Sequence, residues 1–237
     1  MTEIKSLEIR KEKRKTEKLL HEMLPKSMAY RLQKGEQICA EQFQCVTVFF
    51  SDIADFTEIS INSAPIDIVR FLNDVYNFID SQIVKYDVYK VETIGCVYMV
   101  SSGIPSRNGD RHCAEISRLS IDLIQACDEF VIPHMQTHKL QLRIGVHTGP
   151  VVGGIVGNKM PRYCLFGDTV NTASRMQSNG LPHRIHISQA TDSALQKIGG
   201  FETKLRGEIN VKVCTVLSIH SQCFNCHLNV LNIILLL

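Results

Sequence analysis

Two hydrophobic periods divide this chain. Residues 1–24 mix charged side chains with Ile4, Leu7, Leu19, Leu20 and Leu24 and meet no breaker before Pro25, which predicts a helix. A heptad counted from Ile4 puts Lys11, Arg14 and Lys18 at core positions, so a solvated helical extension and a short dimerising coiled coil both stay open. A second short helix over residues 27–33 should end at Gly35. From Cys45 the pattern turns to β, with Val46, Val48, Phe49 and Phe50 in an apolar run that stops at Ser51-Asp52.

Helical spacing returns over residues 67–86, through Ile68, Phe71, Leu72, Val75, Phe78, Ile79 and Ile83. Residues 89–100 predict two strands broken at Thr93-Ile94-Gly95, and residues 111–130 another amphipathic helix. Residues 140–146 predict a strand that gives way to a Gly-rich turn. A short strand at 163–166 precedes a helix at 169–177 that Asp168 is placed to cap. Strands at 184–187 and 201–205 flank a helix at 191–198. The alternation over residues 45–212 predicts one α/β domain, a mixed sheet covered by helices.

Composition changes this picture mainly at the two ends. With 44% hydrophobic and 21% charged residues in 237, the chain has the make-up of a globular protein and not of a disordered tail, collagen or a disulfide miniature. The net charge of +2 conceals +3 over residues 1–18 and −1 over the rest, which argues against a nucleic-acid footprint on the fold. Residues 213–237 contain no Asp, Glu, Lys or Arg. Their longest apolar run, 233–237, follows Asn229 and Asn232 and is too short to span a bilayer, for which about 20 residues are needed. Nine scattered cysteines without a leading signal sequence point to a reducing, cytoplasmic setting. A membrane anchor, if the natural protein has one, is expected outside this sequence.

Several residues could carry chemistry. Asp52 closes an apolar strand and leads through Ile53 into a turn, a natural place for a hard cation holding phosphates, and equally a strand terminus or helix cap. Glu92 is a polar residue at a strand end that could accept hydrogen bonds from a base edge or simply face solvent. Asn171 and Arg175 are four apart on one helix and share a face. An amide orienting a sugar beside a guanidinium stabilising phosphate charge would suit phosphoryl chemistry, and a plain solvated face explains the pair as well.

Residues 46–57, 86–98, 142–150 and above all 161–176, Pro-Arg-Tyr-Cys-Leu-Phe-Gly-Asp-Thr-Val-Asn-Thr-Ala-Ser-Arg-Met, resemble the catalytic domain of class III nucleotidyl cyclases, nearest to the receptor-type guanylyl cyclases. The stretch 19–35, with Leu24-Pro25, resembles the helical linker before that domain. The resemblance implies a mixed sheet with a ferredoxin-like core covered by helices, a linker over 1–44, a catalytic domain over 45–212 and an atypical uncharged tail over 213–237. It implies a dimer whose sites each draw on two chains, and conversion of GTP to cyclic GMP and pyrophosphate with a pair of Mg²⁺ or Mn²⁺ ions.

Position by position, the resemblance makes Asp52, with Ile53, part of the metal site. Backbone amides at Phe56 and Thr57 would cradle the triphosphate. Glu92 and Cys164 would select guanine, since adenylyl cyclases typically carry Lys and Asp there. Asn171 would position the ribose, Arg175 would stabilise the α-phosphate, and Lys212 would bind phosphate oxygens.

The sequence also departs from that pattern. The family's Glu-Thr-Ile-Gly-Asp ends here in Cys96, a soft thiol in place of the second metal carboxylate. A loss of ~3–5 kcal/mol of transition-state stabilisation would slow turnover roughly 10²- to 10⁴-fold. Asp55 stands where the family usually has Gly and should repel the triphosphate, the alternative being that it supplies a displaced carboxylate. After Lys212 the match stops, so the final strand is expected to be lost, leaving a sheet edge open to association. Cys223-Phe224-Asn225-Cys226-His227 fits haem-attachment spacing but lacks that chemistry's export setting, and no second ligand pair completes a zinc site. A homodimer would then have two impaired sites. A heterodimer could use this chain's intact base-recognition half, and the competing expectation is a weak or inactive cyclase-fold subunit that acts by dimerising.

Overall fold

The computed structural model describes all residues except 1, 136–137, 158, 214–223 and 235–237, and over 2–7, 22, 207–213 and 224–234 it describes the backbone alone. It forms two bodies, residues 1–42 with 152–165 and residues 43–151 with 166–237. In chain order the elements are helices α1 (Thr2–Met23) and α2 (Lys26–Gln33), strand β1 (Glu41–Ile53), helices α3 (Phe56–Ile61) and α4 (Pro65–Ile83), and strands β2 (Tyr89–Ile94) and β3 (Val97–Ser102). Then come α5 (Arg111–Cys127), β4 (Leu142–Val156), β5 (Arg162–Phe166), α6 (Asp168–Ser178), β6 (Arg184–Ser188), α7 (Gln189–Ile198), β7 (Glu202–Val213) and β8 (Phe224–Ile234).

In the smaller body, Pro25 separates α1 from α2 and stands as the N-cap of α2, where its missing N–H costs nothing. Leu24, Met28 and Ala29 are buried around that corner. Ile9 and Leu19 of α1 stay exposed, so both readings of the first helix remain open.

The strands follow the order β2-β3-β1-β4-β6-β8-β7, with β5 paired to β4 off this path. β4 and β6 run parallel, whereas β3 pairs antiparallel with β1 and β2, and β8 with β6 and β7. The sheet is mixed, as the alternating pattern predicts.

The strand period of two sorts its faces. Ile144 and Val146 of β4, and Ile185 and Ile187 of β6, join one apolar core with Phe71, Val75 and Ile79 of α4, Ile116 and Leu119 of α5, and Leu195 of α7. The intervening residues face α6. A Cβ on Gly145 would lie 1.9 Å from the Gln177 nitrogen, and His186 Nδ1 donates to the Met176 carbonyl at 2.5 Å. The helix that carries Asn171 and Arg175 is therefore seated on the sheet by a glycine and a buried histidine.

Three expectations from the sequence need correction. β4 does not stop at 146 but continues to Val156, because in a paired strand Gly149 and Gly154 admit neighbours at close range: a Cβ on Gly149 would lie 2.6 Å from Thr169 Oγ1 and one on Gly154 3.2 Å from the Ala40 Cβ. Asp168 does not cap α6; it is the helix's first residue, Gly167 stands before it, and its carboxylate instead accepts from Thr172 Oγ1 at 3.4 Å. The sheet is not left without its last strand, since β8 pairs with β7 from Glu202↔Ile234 to Val213↔Phe224 and with β6 from His186↔Asn232 to Ser188↔Val230. Cys223 of the Cys-His motif lies outside the described residues.

Candidate active site

β1 begins with Glu41, Gln42 and Gln44 partly or fully exposed and becomes almost wholly buried from Val46 to Asp52, its penultimate residue, whose side chain is 11% exposed. Beyond it, residues 54 and 55 turn the chain into α3. Ala54 N–H donates to the Gln141 carbonyl at 2.8 Å, and Asp55 takes the left-handed conformation at φ 57°, ψ 22°, as the N-cap of α3. Glycine adopts that geometry without cost and aspartate only with some strain, which accounts for the glycine expected there.

The turn opens a cavity of about 620 Å³ lined by Asp52, Ile53, Asp55, Phe56, Thr57, Glu58, Ile61, Asn62, Cys96 and Arg143. Cys96 enters it from the β2–β3 hairpin, where Gly95 at φ 59° makes the reversal. Burial pushes the Cys96 thiol up, and the neighbouring Asp52 charge adds to the effect.

Arg143 is the residue that the sequence reading missed. It is a charged side chain within the apolar strand Leu142-Arg143-Ile144, and that interruption was its visible signal. Its Nε donates to Asp52 Oδ1 at 2.9 Å and its Nη2 to Oδ2 at 2.5 Å, a bidentate fork that uses both carboxylate oxygens. The hydrogen bonds to Asp52 raise the guanidinium further above its ordinary value, and the charges of Asp52, Asp55 and Cys96 act in the same direction.

The other expected site residues lie elsewhere. Glu92 sits in β2 opposite Met99, just after a bulge at Val91, where the register shifts between Lys90 and Glu92. A bulge re-aims the side chain beside it. Asn171 is exposed and Arg175 half-buried, one turn apart on α6. None of these three lines the Asp52 cavity. Cys164 is half-buried on β5 and belongs to the smaller body. Lys212 falls in β7, where the description is of backbone and pairs it with Asn225.

Residues 38–224 match the model of the adenylate and guanylate cyclase catalytic domain. The chain belongs to this family. Human atrial natriuretic peptide receptor 2 is 55% identical over 201 residues, covering 85% of this chain and 19% of the receptor. Human retinal guanylyl cyclase 2 is 54% identical over 206 residues, covering 86% of this chain and 19% of that protein. The chain thus spans about a fifth of the length of these relatives. Among solved structures, the guanylate cyclase domain of RhGC from Catenaria anguillulae, in complex with GTP, superposes with a TM-score of 0.72 at 32% identity, covering 82% of this chain and 98% of that one. The adenylyl cyclase CyaB from P. aeruginosa does so at 0.71 and 25% identity, covering 83% and 96%. The fold is that of the class III cyclase catalytic domain.

Cyclase domains of this class depend on metal ions. The residues of this chain's cavity do not fit a pair of hard cations. Such ions take oxygen donors, and here the one buried carboxylate is held by Arg143 while a thiol stands beside it. Among the described residues, no group of three or more His, Cys, Asp or Glu is arranged to hold a metal.

Proposed function

We propose that this chain is the catalytic module of a guanylyl cyclase, acting on GTP at a site built by two cyclase chains. One observation supports the reading: Glu92, Asn171 and Arg175 do not line the cavity that holds Asp52, which is what a site shared between two chains requires. The two relatives named above at 55% and 54% identity are a natriuretic peptide receptor and a retinal guanylyl cyclase, and the structural neighbour holding GTP supports the substrate.

In this reading Glu92 accepts from the guanine ring N–H and exocyclic amine, and the Cys164 thiol lies at the guanine oxygen. Asn171 holds the ribose so that its 3′ oxygen faces the α-phosphorus. Arg175 stabilises the charge that gathers on the α-phosphate, and Lys212 and the backbone amides at Phe56 and Thr57 hold the remaining phosphate oxygens. The 3′ oxygen–phosphorus bond forms as the bond to the β-phosphate bridge breaks. The 3′-hydroxyl proton is released, and cyclic GMP and pyrophosphate leave. Mg²⁺ or Mn²⁺ is the ion we assign to the two-chain site, and the cytoplasm is the compartment we assign to the domain.

A second reading, a weak or inactive subunit that acts by dimerising, is favoured by the Asp52–Arg143 pair and by Cys96. Chromatographic measurement of cyclic GMP from GTP, with the chain alone and mixed with a second cyclase domain, separates the two. Product in either case supports the enzyme. No product in both, together with no GTP binding, overturns it.

A further inference from the structure

Resting on that reading, we propose that Asp80 and Tyr76 of α4 are positioning residues for base choice: they clamp β2 on either side of Glu92 and hold the bulge that aims its carboxylate.

The bulge decides which way Glu92 faces. Lys90 lies opposite Val100, Glu92 opposite Met99 and Thr93 opposite Tyr98. Val100 and Tyr98 belong to the core that α4 covers, and Met99 between them belongs to the other face of the strand. Strict alternation from Lys90 would set Glu92 opposite Tyr98, under the helix. The extra residue at Val91 moves it to the Met99 face instead.

Two side chains one turn apart on α4 secure that arrangement. Both oxygens of Asp80 accept from Lys90 Nζ at 2.9 Å, and one also accepts from the hydroxyl of the buried Tyr98. The carboxylate therefore joins the residue before the bulge to the residue paired with Thr93, just after Glu92. The Lys90 ammonium also rests 4.8 Å from the centroid of the Tyr98 ring. On the far side of Glu92, the Tyr76 hydroxyl donates to the Gly95 carbonyl in the β2–β3 turn. With side chains 39% and 43% exposed, the Lys90–Asp80 ion pair contributes little to global stability. Its loss should show in the aim of Glu92 before it shows in the melting temperature.

The test compares two nucleotides that differ only where Glu92 reads them. Inosine keeps the ring N–H of guanosine and lacks its exocyclic amine, and a 3′-deoxyribose removes the hydroxyl that would react. The full chain, alone and mixed with a second cyclase domain, is titrated calorimetrically with 3′-deoxy-GTP and 3′-deoxy-ITP. Asp80→Asn, which keeps an acceptor for Tyr98 but loses the charge that holds Lys90, should lower the preference for the guanine nucleotide by about three- to ten-fold. Tyr76→Phe should move it in the same direction and covers the case in which Asp80→Asn fails to fold. A merely structural role would weaken both nucleotides equally. An unchanged ratio in both variants, with Glu92→Ala abolishing the preference, overturns the inference. If Glu92→Ala leaves the preference intact, or neither nucleotide binds, it is the base assignment that fails. Amide hydrogen exchange over residues 90–95 then decides the clamp by itself: faster exchange in both variants upholds it, and unchanged exchange overturns it.

Discussion

His186 of β6 donates its Nδ1 proton to the Met176 carbonyl at 2.5 Å, and its Nε2, fully buried, has no partner among the described residues. This bond ties α6, bearer of Asn171 and Arg175, to the sheet. Burial lowers the His186 pKa to about 4. The unfolded chain takes up that proton near pH 6.5 and the folded chain only near 4, so acidification through this window favours unfolding. Stability from this group is complete above pH 6.5 and falls by on the order of 3 kcal/mol as pH approaches 4. In His186→Asn the amide can still donate to Met176 but does not titrate. Thermal melts across pH 4–7 should show a shallower decline for the variant, and parallel curves would remove His186 as a source of the dependence.

The approach of β4 to α6 gives a second prediction. With the Gln177 nitrogen 1.9 Å from where its Cβ would sit, Gly145→Ala forces the helix off the sheet. Overpacking of this kind costs about 1–3 kcal/mol and occasionally more. Urea denaturation should place this variant at the upper end or beyond, whereas Gly95→Ala, which meets nothing within 4 Å, should cost only the strain of its positive φ.

Asp55 provides a gain. At φ 57° with no side-chain cap bond, it bears left-handed strain and receives no capping bond in return. Asp55→Gly should stabilise the fold by about 0.5–1 kcal/mol in urea denaturation, after the entropy that glycine adds to the unfolded chain. It also removes a negative charge from the cavity wall, so GTP affinity should rise in a calorimetric titration. A stability loss would show that the aspartate makes a compensating interaction.

Much of the fold could be read from periodicity. Phe71, Val75 and Ile79 recur at four and emerge buried on α4, and the break at Thr93-Ile94-Gly95 becomes the β2–β3 turn. Asp52 was legible because it ends an apolar run, and Asn171 with Arg175 because four residues make one helical turn. The ion pair of Asp52 with Arg143 was not, because it joins residues 91 positions apart and depends on which strands are neighbours. β8 was hidden for a related reason. Its asparagines and its distance from the family pattern masked a strand whose backbone pairs with β7 and β6. The glycines of β4 suggested a turn because local propensity cannot register the close neighbours that require them.

Base choice is assigned to Glu92 and Cys164. Glu92→Lys with Cys164→Asp should move substrate preference from GTP to ATP by about ten-fold or more in any active pairing, since mismatched hydrogen-bond groups leave buried partners unpaired. Competition assays with both nucleotides check this, and an unchanged preference for GTP would take the role from these residues.

The central claim is that this chain is the catalytic module of a guanylyl cyclase whose site is built by two chains. Its most direct measurement is cyclic GMP formed by a mixed pair in which the partner subunit keeps both metal carboxylates but has lost its own ribose-positioning asparagine and phosphate-stabilising arginine. Cyclic GMP from the mixture should exceed the sum of the two subunits assayed alone, and should fall to that level with Asn171→Ala or Arg175→Ala on this chain. A mixture that makes no more than that sum would contradict the account.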